Sequence, residues 1–144
     1  MEDPFNLARF VDAQAEVFEQ VLAELRAGEK QSHWIWFIFP QMKGLGHSSQ
    51  SIYFGIGSLE EAVAYLRHPL LGPRLGRCTR LVTLVEGRKI GQILGYPDDL
   101  KFRSSMTLFA HAAAHAEMDA TDFNDALKKY FNGEPDELTV ALLR

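Results

Sequence analysis

Twelve consecutive residues, Lys30 to Gln41, read KQSHWIWFIFPQ and hold both tryptophans of the chain. Trp34, Ile35, Trp36, Phe37, Ile38 and Phe39 are too bulky to leave in water, so the rest of the chain must fold around them. The flanking Lys30, Ser32, His33 and Gln41 impose the opposite demand, because a polar group enters an interior only with a partner. Apolar walls with a few polar groups converging on them make a ligand site. A core segment with wet ends has the same composition. Periodicity does not classify so short a run: its β-branched and aromatic content favours a buried strand, while its place between helices permits a short buried helix.

The surrounding sequence is helical in pattern. From Phe10 to Leu25, Phe10, Val11, Val17, Phe18, Val21, Leu22 and Leu25 recur between acidic and amide residues, which predicts one amphipathic helix stopped by Gly28. Lys43 to Ser51, KGLGHSSQS, is predicted as a loop, and the IYFGIG that follows as an extended segment. Ser58-Leu-Glu-Glu61 reads as a capping box opening a helix to about His68. Pro69 ends it, and Gly72-Pro73 opens the next, with Leu75, Cys78, Leu81, Val82 and Val85 on one face and Arg74, Arg77 and Arg80 on the other. Lys89 to Leu94 is a short segment stopped by Gly95 and Pro97, after which Asp98 or Asp99 caps a helix entering at Leu100. A helix from about Thr121 to Phe131 and a final turn from Asp136 to Leu143 complete the pattern. No alternating hairpin, internal repeat or low-complexity linker interrupts it. The expectation is a single all-α domain over residues 1–144, compact and built of about six to eight helices.

Composition narrows the function classes. Of 144 residues, 47% are hydrophobic and 24% charged, the balance of a soluble globular protein. The formal net charge of −4 gives no global reason to bind nucleic acid or an anionic membrane. Cys78 is the single cysteine, so no internal disulfide forms, and its place in an apolar stripe predicts a buried structural thiol. The start, MEDPFNLARF, is acidic where a secretory leader is basic, and no apolar run approaches the roughly 18 residues of a membrane span. A cytoplasmic location is the expectation.

Two stretches carry candidate chemistry. On a helix Lys30, His33 and Trp34 would share a face suited to an anionic, planar ligand, with His33 as acid or base and Trp34 as a stacking surface. The competing reading of His33 is a backbone-bonded histidine at the edge of the core, and Trp36 is expected in the core. In PDDLKFRSSMT, Pro97 to Thr107, the helix start with Lys101, Arg103, Ser104 and Ser105 would seat a phosphate or carboxylate, and a carboxylate pushed beside the tryptophans would act as a general acid. The predicted site therefore combines His33 and Asp99 as catalytic groups with Lys30, Trp34, Phe37, Gln41, Lys101 and Ser105 as ligand contacts, and Pro40 in the wall. GLGHSS, Gly44 to Ser49, lacks the lysine-serine ending of a phosphate loop and reads as a surface loop. His111 and His115 have metal-ligand spacing but no third ligand, so neither a metal nor a cofactor is implied.

The chain resembles the DUF1810 family along nearly its whole length. The resemblance rests on DPFNLARFVDAQ, GEKQSHWIWFIFPQMKGLGHS, SLEEAVAYLRHPLLGPRLGRC, PDDLKFRSSMTLF and the TVALL ending. Family members usually carry methionine between the tryptophans where this chain has Ile35, a swap that preserves apolar character. The resemblance implies an all-α fold, in a superfamily named after a mainly helical mycobacterial protein, and hence a helical aromatic run. It implies no reaction. In size, helical character and a tryptophan-rich pocket region the chain is also similar to the NADAR group, which acts on N-glycosidic bonds of ADP-ribose-type molecules. That similarity implies a pocket for a small anionic nucleotide or sugar derivative, with hydrolysis as the natural chemistry. The alternative is a non-catalytic interaction or regulatory domain.

Overall fold

The computed structural model describes residues 2–144, and among them it forms ten helices and no strand. In chain order these are α1 (Ala8–Ala15), α2 (Phe18–Ala27), α3 (Ile35–Ile38), α4 (Ser49–Tyr53), α5 (Leu59–Arg67), α6 (Leu71–Leu84), α7 (Ile90–Leu94), α8 (Asp98–His115), α9 (Thr121–Phe131) and α10 (Glu137–Leu142). The count exceeds the expected six to eight because α3, α4 and α7 are single turns, too short to announce themselves by periodicity. No helix among the described residues is long and apolar enough to cross a membrane.

The centre is α8. Phe102, Met106, Leu108, Phe109, Ala112 and Ala113 are fully buried around it, so most of its circumference is apolar, as a core helix requires. It packs against α3, α5, α7, α9 and α10, while α6 packs against α2, α5 and α9. Phe102 meets Phe39 edge-on at 4.9 Å, which seats the aromatic run directly on α8.

The helix expected from Phe10 to Leu25 is two helices, broken at Glu16 and Val17. Each half buries its face against a different neighbour, α1 against α3 and α2 against α6, and one straight helix cannot face both. Gln14, buried in α1, fixes the first half by donating to the Phe37 carbonyl at 2.7 Å and accepting from Arg74 at 3.2 Å. IYFGIG is likewise divided: Ile52 and Tyr53 end α4, and only Ile56 is extended, in an isolated parallel bridge with Met42.

Two expected caps act elsewhere. Ser58 accepts from the Glu61 N–H at 3.1 Å as predicted, but the Glu61 carboxylate turns to the Arg9 guanidinium at 2.8 Å and to the Gly57 N–H. Arg9 spends all five of its N–H groups inside the protein, on the carbonyls of Phe5, Asn6, Tyr53 and Gly55 and on Glu61. It thereby ties the N-terminal segment to the turn between α4 and α5. Helix α8 starts with Asp98 and Asp99 already inside its first turn, so neither is its cap. The stripe of Arg74, Arg77 and Arg80 is only partly a solvated face. Arg74 covers the Phe18 ring at 4.5 Å and Arg80 pairs with Asp122 at 2.7 Å.

Candidate functional site

The aromatic run is organised from behind by a residue with no place in the sequence-level site. Glu24, 4% exposed on α2, accepts from the N–H groups of Gln31 and Ser32, the Ser32 hydroxyl, the Gln20 amide and the Trp34 indole at 2.9 Å. Burial alone would push its carboxyl up. The hydrogen bonds from Ser32, Gln31 and Gln20 outweigh burial and hold it at about 2. Trp34 is thus a core residue, 1% exposed, and not the ligand wall expected of it. A signal existed in the sequence, an acid set among Val21, Leu22 and Leu25 on a core-facing helix, but its partners lie beyond the helix and periodicity does not reach them.

Trp36, and not Trp34, borders a cavity. It is half-buried and lines a small cavity with Ile35, Phe39, Gln41, Phe54 and Lys101, joined by Ser51 and Gly55. The cavity measures about 10 Å³, the size of a single water. The indole N–H of Trp36 is buried without a hydrogen-bond partner among the described residues. The hydroxyl of Ser105, one helical turn below Lys101 on α8, is likewise unpartnered among the described residues, but Ser105 does not line this cavity as the motif had implied. The GLGHSS loop closes over one side. A Cβ on Gly46 would lie 2.5 Å from the Ser51 hydroxyl and 3.5 Å from the Gln41 amide, so glycine is required there. Gln41 is held by its own carbonyl, which accepts from the Ile56 N–H at 2.9 Å.

The charged edge of the site comes from α8 and the entry to the aromatic run. The Lys30 ammonium lies 2.8 Å from one oxygen of Asp98, and the Lys101 ammonium 3.9 Å from the other. Each lysine also sits over a tryptophan, Lys30 at 5.0 Å from Trp34 and Lys101 at 5.1 Å from Trp36. Backbone reinforces the pairing, since the Lys30 N–H donates to the Ile93 carbonyl at 2.7 Å. Lys30, Asp98 and Lys101 are therefore one cluster spanning both tryptophans.

The remaining sequence-level candidates fall outside it. His33 is exposed and does not line the cavity. Asp99 accepts from the Leu100 N–H at 2.9 Å and borders a separate groove of about 580 Å³ with Arg88, Gly91, Lys129 and Tyr130. Phe37 packs on Phe54 at 5.4 Å behind the cavity, and Pro40 is buried. Among the described residues, no group of three or more His, Cys, Asp or Glu side chains is placed to hold a metal ion. What lines the cavity is a set of residues with donor groups, Trp36, Gln41, Ser51 and Lys101, among apolar walls.

Curated proteins offer no match to the chain. Among solved structures, the crystal structure of the conserved hypothetical protein Rv1873 from Mycobacterium tuberculosis is similar, with 57% identity, a TM-score of 0.94 and 98% of each chain covered. Over residues 4–143 the sequence matches the model of the protein family of unknown function DUF1810, and the chain belongs to that family.

Proposed function

We propose that the protein binds a small anionic ligand, a nucleotide or sugar derivative, through a compact acceptor group held at the Trp36 cavity. The observation that carries this reading is the buried, unpartnered indole N–H of Trp36, a residue that lines the cavity together with Lys101. An orphaned buried donor is costly, and a ligand oxygen is its natural complement. Lys101 supplies charge at the mouth, Gln41 and Ser51 supply adaptable polar contacts, and Ile35, Phe39 and Phe54 form the apolar walls. A cavity of about 10 Å³ admits only the anchoring group, so the rest of the ligand lies across the surface around Trp36. Hydrolysis is not part of the proposal, since His33 is exposed and Asp99 faces another groove.

A thermal-shift screen against nucleotides, ADP-ribose derivatives, sugar phosphates and sugar acids tests the reading. A specific ligand at 100 times its dissociation constant stabilises by about 2.7 kcal/mol. That shift is expected to vanish in Trp36→Phe, which keeps an aromatic side chain and removes the N–H, and in Lys101→Met. Absence of any shift in the intact protein, or its persistence in both variants, overturns the proposal.

A further inference from the structure

We infer that Asp98 sets the charge class of the ligand, restricting the site to head groups with a single negative charge. The inference rests on the binding reading above and names what that site selects. Lys30 and Lys101 contribute two positive charges and Asp98 one negative charge, bridged through separate carboxylate oxygens at 2.8 and 3.9 Å. The cluster is largely withdrawn from water, with side-chain exposures of 7% for Lys30, 18% for Asp98 and 24% for Lys101. Glu24, on the far side of Trp34, is covered by five neutral donors, so it offers no open acceptor but keeps its own negative charge behind the ring. One positive charge is left over, and Lys101 holds it at the cavity, since its contact with Asp98 is the looser one.

Lys30, Asp98 and Lys101 together carry +1, and the negative charge of Glu24 behind Trp34 lowers the field further, so the site compensates at most one anionic charge. A second charge on the same head group would lose its hydration and find no partner. A carboxylate or a phosphodiester carries one charge and fits. A phosphate monoester carries close to two above its second pKa of about 6 and does not. Lys30 does not line the cavity and acts only through Asp98, so its role is to position and neutralise that carboxylate.

Isothermal titration at low salt and pH 8 with glucuronate, a singly charged sugar acid, and glucose 6-phosphate, its dianionic counterpart, tests the inference. Asp98→Asn raises the cluster to +2, and the affinity ratio is expected to move toward glucose 6-phosphate by about tenfold. Lys30→Met leaves Asp98 to neutralise Lys101, and both ligands are expected to weaken by about tenfold. The double variant Lys30→Met with Asp98→Asn removes a buried pair together, keeps one net positive charge and is expected to retain the wild-type ratio. This variant keeps the test decisive if either single variant fails to fold. A ratio unchanged in Asp98→Asn, or altered in the double variant, overturns the inference while leaving the binding reading intact. Wild-type protein that binds neither these probes nor any ligand of the thermal-shift screen overturns both.

Discussion

The carboxylate of Glu24 and the indole N–H of Trp34, ten residues apart, are joined in the core at 2.9 Å. With four further donors on the same carboxylate, this bond orients the whole entry to the aromatic run. Glu24→Gln replaces one acceptor oxygen by a donor facing other donors, and is expected to cost about 2 to 3 kcal/mol in urea unfolding at neutral pH. The folded carboxyl sits at about 2, below its ordinary 4.5, so its stabilisation is complete above the higher value and is lost as pH falls through the lower. The wild-type melting temperature should therefore drop between pH 4.5 and 2 more steeply than that of Glu24→Gln. Parallel curves would remove Glu24 from this role.

Arg9 is expected to tolerate no substitute. Lysine offers three donors without the planar fork, so Arg9→Lys leaves carbonyls of Tyr53 or Gly55 unpaired, while Arg9→Met also leaves the buried Glu61 without its cation. A loss of about 3 to 5 kcal/mol is expected for Arg9→Met in equilibrium denaturation. A loss below about 1 kcal/mol would place this ion pair with ordinary surface pairs.

Two glycines of α6 should respond unequally to alanine. A Cβ on Gly72 would overlap the backbone carbonyl of Leu66, which cannot swing aside, and a loss of about 1 to 3 kcal/mol is expected. At Gly76 the nearest atoms, 3.3 Å away, are the mobile ends of Arg80 and Asp122. There a helix-propensity gain of up to about 1 kcal/mol offsets loosening of that half-exposed pair, and Gly76→Ala should stay within about 0.5 kcal/mol of wild type. Thermal denaturation of the two variants side by side separates the cases.

Cys78 is 1% exposed, and burial pushes its thiol up to about 12 despite the nearby Arg77 and Arg74. It should resist an aromatic disulfide reagent at pH 8 while the protein is folded and react once denaturant is added. Rapid labelling of the native protein would show that α6 opens locally.

The sequence is most informative where one neighbour decides an element. Thr121 to Phe131 is read with the bounds of α9, and the final turn expected from Asp136 is α10, because both depend on local amphipathic and capping chemistry. The break at Glu16 and Val17 is set by two distant partners and leaves no local mark. The site is legible in its address and less so in its members. Six consecutive bulky residues carry no period, so nothing local says which tryptophan turns inward, and the structure buries Trp34 while Trp36 borders the cavity. Lys101 and Gln41 both line that cavity, whereas Asp98, expected as a helix cap, is the carboxylate that joins both lysines.

A helix of four residues has no stability of its own in water, since nucleation costs more than one turn returns. Helix α3 exists because Gln14 holds the Phe37 carbonyl, Glu24 holds Trp34 and α8 lies beneath Phe39. Its two closing amides, Ile38 to the Trp34 carbonyl at 3.2 Å and Phe39 to the Ile35 carbonyl at 3.0 Å, can then be released only when those neighbours separate. Hydrogen exchange at Ile38 and Phe39 should accordingly be as slow as in the middle of α8, making this single turn a reporter of global opening.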